Sequence, residues 1–392
     1  MFKSLFNSKK PDYRNWSLKD DGLYWHNSVK GIPLFARSKT LPTDEERAVM
    51  RLAIDLISQT PTGRYLLKKS KKSLKSIDFI RKDPNLKVRG NESFMSLGHM
   101  QRNKFNDVEI YLLSPHNYSD FKPEHIYEAA LETATVLIHE LAHCVQFQHS
   151  RVYRSHAYTP LSYITLSLAT EADAYAHEQQ FARELFAKDP KGPENQHTTF
   201  SAAIKLMVKN RYYASYQSEE IDSEKLYDGT LMAEAFLHFY THNGLRNHYT
   251  KQYTAHLPSL LDAVEKSNNK MLRATAMRLP VPDFVMRHFI QHKGKSYLKR
   301  HLPDLDMHGN PLFCAADISL KDMISNIYQR RGQLLSSSKE IEDMLSDEDL
   351  FIDFSKDGFV SNPENPLEVT FKKGIANDNK QGAKPAKNHV RP

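Results

Sequence analysis

The sequence predicts an α+β protein in which a small sheet packs on one buried helix and a mainly helical part follows. Strand-like and helix-like patterns alternate before residue 150, whereas the apolar patterns after it have the period of a helix. Apolar residues typical of a buried helix surround two histidines and a glutamate in the segment 135–149, TVLIHELAHCVQFQH. Beyond Ser336 the chain turns acidic and then loses almost all of its apolar residues. An ordered α+β body with a tail is the architecture that fits these observations.

With 392 residues, the chain is long enough for two or three domains. We expect a lead-in segment at 1–40, a domain at 41–250 that contains the segment 135–149, a helical C-terminal extension at 251–335 and a largely disordered tail at 336–392. The lead-in has no clear hydrophobic period. The tail lacks the apolar residues that a packed core requires.

Local patterns before residue 135 predict two helices and a sheet. Thr43 precedes an acidic first turn and marks the start of a helix, which the segment 60–64, TPTGR, ends. A second helix continues into the lysine-rich segment 68–75, for which a solvated face and a phosphate-binding face are both open interpretations. Residues 76–80 and 107–113 have strand character. We expect 107–113 at an edge of the sheet, where an extended peptide could pair with it.

The pattern H-E-x-x-H occupies His139 to His143 and is typical of zinc peptidases. Residues four apart share one face of a helix, so both imidazoles can reach a single metal ion. Glu140 lies on the adjoining flank, where it can act on a water bound to that metal. A buried helix that carries such groups needs a partner for each of them. The alternative is a core helix whose histidines are satisfied by hydrogen bonds.

Two residues compete for the third position on the metal, because catalytic zinc usually has three protein ligands. His149 stands six residues after His143, but a glycine normally lets the chain leave the helix between them, and Gln146 occupies that place. In a continuous helix His149 is rotated by about 240° from His143 and points away. Glu171 lies in the apolar helix predicted from Leu161 to about Ala187, where an acid is costly unless a cation meets it. We therefore prefer Glu171.

Three further polar residues follow Glu171 on the same predicted helix. Tyr175 is one turn beyond it and could donate to the oxyanion, with a place in the core as the alternative. His177 and Glu178 are candidates for supporting the ligands, although surface exposure is the commoner state for such residues.

The order of these motifs resembles the gluzincin group of zinc peptidases, whose third ligand is a glutamate on the next helix. It is also similar to a bacterial family of metallopeptidases of unknown function, which shares the TPTGR segment at 60–64, the EADA segment at 171–174 and an aromatic helix at 235–240. The resemblance covers about residues 40–250 and implies a zincin-like core. One departure is Tyr175, because the thermolysin-like pattern has an acid there. The group that orients the histidines is therefore open.

The expected function is zinc-dependent peptide hydrolysis, with His139, His143 and Glu171 as ligands and Glu140 as general base. Two rivals are a nucleic-acid-associated regulatory protein, for which the basic segment would serve the nucleic acid, and an inactive scaffold of the same fold. The net charge of +7 is mild for this length and favours no nucleic acid by itself.

Composition also bears on compartment. Only Cys144 and Cys314 occur, which disfavours a disulfide framework. The N-terminal stretch lacks the apolar core and cleavage site of a secretory signal, and no apolar run is long enough to span a membrane. We expect a cytoplasmic protein, with signal-independent export as the alternative. No pattern in the sequence indicates a substrate or an oligomeric state.

Overall fold

The computed structural model describes parts of the chain between residues 18 and 371. The described residues are 18–19, 22–27, 34–38, 42–71, 73–80, 98–102, 108–117, 121–148, 158–188, 223–241, 243–268, 290–302, 313, 316–317, 326, 351–352, 359–362 and 365–371. They divide into two compact units. The first unit comprises Met1–Arg154, Ala169–Phe236 and Pro282–Leu305, and the second comprises Ser155–Leu168, Leu237–Val281 and Asp306–Pro392.

Helices dominate the described secondary structure, and a three-stranded mixed sheet accompanies them. The helices are α1 Asp44–Gln59, α2 Pro61–Ser70, α3 Ile126–Phe147, α4 Pro160–Lys188, α5 Ser223–Asp228, α6 Thr230–Thr241, α7 Asn243–Glu265 and α8 Tyr297–His301. The strands are β1 Leu18–Lys19, β2 Gly22–Asn27, β3 Leu34–Ser38, β4 Leu74–Ile80, β5 Gly98–Arg102, β6 Val108–Leu113, β7 Ala316–Asp317, β8 Phe351–Ile352, β9 Phe359–Asn362 and β10 Asn365–Phe371. The predicted α+β class is confirmed.

The sheet that packs on α3 has the order β4-β6-β5. β6 runs parallel to β4 and antiparallel to β5, so it is the central strand. Our prediction of residues 107–113 as an edge strand is wrong, because Val108, Glu109 and Ile110 are all buried and both sides of the strand are paired. The two edges are β4 and β5, and the sequence did not reveal β5 as a strand.

α1 begins as predicted at a capping box. The Glu46 amide donates to the Thr43 hydroxyl at 3.2 Å, and the Thr43 amide donates to the Glu46 carboxylate at 2.9 Å. The second oxygen of the buried Glu46 accepts from the Ser114 hydroxyl, which follows β6. The cap therefore also ties the start of α1 to the end of the central strand.

The TPTGR segment forms a tight corner between α1 and α2. Thr60 caps α2 by accepting from the Gly63 amide at 3.0 Å. A Cβ on Gly63 would lie 2.0 Å from the carbonyl oxygen of Ile57, so only glycine fits this approach. The amide and hydroxyl of Thr62 both donate to Glu184 of α4, each at 2.9 Å. Packing within the first unit therefore accounts for the threonines and the glycine of this segment.

The core of the first unit lies where α3 packs against α1, α2 and the sheet. Leu137, Ile138 and Leu141 of α3 are fully buried there, with Ile57 of α1 and Ile110 of β6. A short 3₁₀ turn at Pro123–His125 precedes α3, which starts three residues later than the proline alone suggested. The body of α4 in this unit is just as buried, as predicted.

The second unit contains an aromatic cluster on α6 and α7. The rings of Tyr240 and Phe313 have centroids 4.6 Å apart, and Phe239 packs against Tyr249 at 5.7 Å. The apolar pattern at 230–240 predicts a helix, which is confirmed as α6. The pattern at 257–264 likewise predicts a helix, which is the end of the longer α7.

Several predictions fall outside the described residues. These are the helices that apolar patterns predict at 200–209, at 282–290 apart from Ile290, and at 317–335 apart from residues 317 and 326. Within the predicted tail, the described residues are the short strands β8, β9 and β10, of which β9 and β10 pair as an antiparallel hairpin. The domain boundaries stay predictions.

In the part of the chain that the structure describes, no helix has the length and apolarity to cross a membrane.

Candidate metal centre

Two imidazole nitrogens of α3 meet on one face of the helix. The Nε2 atoms of His139 and His143 are 3.0 Å apart, and their rings are nearly perpendicular. Both side chains are about nine-tenths buried. The four-residue spacing of the motif thus gives the shared face that it predicts.

Glu171 of α4 completes a triangle with these two nitrogens. Its Oε2 atom is 3.1 Å from Nε2 of His139 and 3.4 Å from Nε2 of His143. A tetrahedral zinc with bonds of about 2.0–2.1 Å would hold its ligand atoms about 3.3 Å apart. Among the residues that the structure describes, this is the one group of three or more histidines, cysteines and acids placed to hold a metal.

The other nitrogen of His143 is held by Gln146. His143 Nδ1–H donates to the Gln146 side-chain oxygen at 2.8 Å. The amide cannot be reversed, because its nitrogen donates to the Thr170 carbonyl at 3.0 Å and to the Asp173 carboxylate at 2.7 Å, and both of these only accept. The proton of a neutral His143 therefore sits on Nδ1, and the lone pair of Nε2 points into the triangle.

The other nitrogen of His139 is held by Glu178. His139 Nδ1 lies 3.2 Å from Oε1 of Glu178, which can only accept when ionised. Our expectation that His177 and Glu178 are exposed is wrong: they are 2% and 7% exposed. The sequence signal that could have identified Glu178 is its spacing, because seven residues after Glu171 the same face of α4 returns.

The charge balance of the triangle calls for a cation. With both Nδ1 atoms committed as donors, two lone pairs and a carboxylate oxygen face one another within 3.4 Å. Burial opposes protonation of His139, but hydrogen bonds to Glu171 and Glu178 outweigh it and raise the pKa of that imidazole well above its usual value. Burial likewise opposes the ionised Glu171, yet the two histidines lower the pKa of this carboxyl strongly. A divalent metal satisfies the same three atoms without any proton, so the residues fit it.

Glu140 lies beside the triangle, at the edge strand. A Cβ added to Gly98 of β5 would be 3.1 Å from its Oε1 and 2.6 Å from the Val136 side chain. The glycine therefore lets β5 pass close to the carboxyl group. Burial raises the pKa of Glu140, and the nearby histidines oppose that rise.

The remaining site predictions have different outcomes. α3 continues through Gln146 to Phe147, as expected for a helix without the glycine, and His149 lies outside the described residues. Tyr175 is on α4, one turn after Glu171, and is partly exposed. Its catalytic role stays a prediction.

Comparison with known families agrees with this geometry. Residues 128–279 match the model described as "Putative metallopeptidase family (DUF6782)". The segment that carries His139, His143 and Glu171 thus matches a model for metallopeptidases. The predicted resemblance to a metallopeptidase family is thereby confirmed, and the match includes nearly all of α3 and all of α4, but not the sheet or residues 290–302. No curated protein and no solved structure matches the chain.

Proposed function

We propose that the protein is a zinc-dependent peptidase whose metal is held by His139, His143 and Glu171. The observation that carries the proposal is the convergence of Nε2, Nε2 and Oε2 in a buried triangle whose other imidazole nitrogens are both tied to acceptors. Two histidines and one carboxylate are a common ligand set of catalytic zinc, which leaves one position for water or substrate. The family match to residues 128–279 supports hydrolysis of peptides as the chemistry.

In this proposal Glu140 handles the protons. Zinc, when bound, supplies Lewis-acid chemistry that polarises a carbonyl and acidifies water. Glu140 accepts a proton from the attacking water and returns it to the departing amine nitrogen. A carboxyl group suits both steps when its pKa lies nearer to neutrality than usual, and burial shifts the pKa of Glu140 in that direction. Glu178 and Gln146 hold the two imidazoles in the required orientation.

An extended peptide is expected to lie along β5. This strand pairs with β6 on one side, and among the described residues no strand pairs with its other side. Gly98 brings its backbone close to Glu140, so a peptide added to the edge would pass beside the proposed general base. The edge that we assigned from sequence to residues 107–113 is thus replaced by 98–102.

The test combines metal analysis with one isosteric variant. We expect about one zinc per purified chain, and Glu140→Gln should retain it because this residue is outside the triangle. Hydrolysis of a peptide library by Glu140→Gln should fall by about 10²–10⁴-fold relative to the wild type. A variant with full activity would reject the proposed base. A wild type that holds zinc but cleaves no peptide would instead favour the inactive scaffold.

A further inference from the structure

We infer that Tyr297 is a positioning residue for the metal centre, acting on His143 through Asp173 and Gln146. The inference rests on the proposed metal site and assigns a part of it to residues 290–302, which lie outside the family match. It concerns the orientation of one ligand and not contact with substrate.

A continuous line of hydrogen bonds joins Tyr297 to the proposed ligand. The Tyr297 hydroxyl donates to Oδ1 of Asp173 at 2.7 Å, and Oδ2 of the same carboxylate accepts from Nε2 of Gln146 at 2.7 Å. The Gln146 oxygen then accepts from His143 Nδ1 at 2.8 Å. Tyr297, Asp173 and Gln146 are each at most 3% exposed, so water does not compete for these bonds.

The direction of each bond is determined by the chemistry of its partners. A carboxylate only accepts, so Asp173 requires a donor at each oxygen, and the tyrosine and the amide supply them. Without the tyrosine hydroxyl, Oδ1 of Asp173 would lose its shortest donor and the carboxylate could rotate. Gln146 would then lose the geometry that presents its oxygen to His143.

The segment that carries Tyr297 is built to hold it in place. A turn joins His292 to Lys295, with Lys293 and Gly294 at positive φ values of 52° and 80°. Ser296 caps α8, so Tyr297 is its first residue. The backbone of Gly294 also hydrogen-bonds the Tyr65 hydroxyl of α2.

A second set of contacts fixes the ring itself. Phe236 packs edge-on against the Tyr297 ring, with centroids 6.4 Å apart. Gly229 has a φ of 100°, and a Cβ there would come within 3.1 Å of the Tyr297 Cβ. The ring is thereby directed at Asp173 by packing from α6 and by the turn before α8.

The experiment measures zinc affinity, by competition with a chromophoric chelator, in the wild type and in Tyr297→Phe. Loss of the direct partner of a ligating histidine commonly weakens metal binding 10–100-fold. Tyr297 is two hydrogen bonds further from His143 than Gln146 is, so we expect a loss at the lower end of that range, about 10-fold. The cobalt-substituted Tyr297→Phe protein should also show a changed ligand-field spectrum. A purely structural role would lower thermal stability and leave affinity and spectrum unchanged.

Two further variants keep the test decisive. Tyr111→Phe is the matched control, because it also removes a hydroxyl that donates to a carboxylate, that of Glu109 at 2.8 Å, and it should leave zinc affinity unchanged. In a Gln146→Leu background the connection to His143 is already cut, so adding Tyr297→Phe should cost no further affinity. Wild-type affinity in Tyr297→Phe, or an equal loss in Tyr111→Phe, overturns the inference alone. A wild type that binds no zinc overturns the proposed function as well.

Discussion

Two buried carboxylates on α4 face opposite electrostatic situations. Glu171 is 6% exposed and faces two imidazoles, which lower the pKa of its carboxyl in spite of burial. Glu184 is 1% exposed, and burial raises the pKa of its carboxyl although Thr62 and Gln180 donate to it. Burial of an acid in an apolar helix is therefore not enough to indicate a metal site. The neighbours decide: Glu171 shares its oxygen with two imidazole nitrogens that can hold a cation against it, either a proton or a metal, whereas Glu184 accepts hydrogen bonds from uncharged groups.

The two residues should consequently fail in different ways. Removal of Glu171 should affect the metal, whereas removal of Glu184 should affect folding through the start of α2.

The largest effect is expected for Glu171→Ala. Its carboxylate supplies one of three ligand atoms, so zinc affinity should fall by more than the roughly 100-fold that supporting residues can account for. Equilibrium dialysis with metal analysis measures the loss. His149→Ala is the control, because His149 was the other sequence candidate for the third position and we predict that it is no ligand, so the variant should retain the metal. If His149→Ala strips zinc while Glu171→Ala keeps it, the assignment of the third ligand is wrong.

Glu184→Ala should lower the stability of the fold and leave zinc binding unchanged. It leaves the buried amide and hydroxyl of Thr62 without their acceptor, which commonly costs about 1–3 kcal/mol of unfolding free energy. Denaturant titration measures this loss. Zinc affinity of the folded variant should equal that of the wild type, because Glu184 takes no part in the triangle. Equal stability in Glu184→Ala would show that the corner does not depend on this carboxylate.

The comparison of Glu171 with Glu184 also shows how much of the site could be predicted from the sequence. His139, Glu140 and His143 are close in the chain, and helix geometry alone relates them, so the motif predicted their shared face. Glu171 followed from the cost of an acid in an apolar helix. The same argument applied equally to Glu184, whose partner Thr62 lies 122 residues away in a segment with no metal ligand.

Residues joined only by the tertiary fold were harder to predict. Tyr297 is 124 residues from Asp173 in the chain, and no local pattern connects them. β5 has the sequence GHMQR, which lacks the β-branched and alternating residues that mark a strand. It forms a strand because it pairs with β6. The edge strand β5 and the supporting residue Tyr297 were therefore parts of the site that required the structure.

The smallest expected effect concerns pH and His292, which packs near His177 and Tyr65 beside the Tyr297 segment. Burial lowers the pKa of His292 well below its usual value, and the neighbouring His177 and Lys293 lower it further. Above a pH of about 6.5 the imidazole is neutral in both folded and unfolded protein and contributes no pH dependence. Below that pH the unfolded chain binds a proton that the folded protein resists, so stability falls as the pH falls.

His292→Phe should remove this dependence. Its unfolding free energy relative to the wild type should rise as the pH is lowered from 7.5 to 5.5, by at most about 1.4 kcal/mol for each pH unit below 6.5. The difference between the two proteins is the quantity to measure, because the other titrating groups are common to both and cancel in it. Exposed His256 gives the control, since its replacement should leave the slope unchanged. A difference that stays constant with pH would mean that His292 accepts its proton as readily in the folded protein as in the unfolded chain.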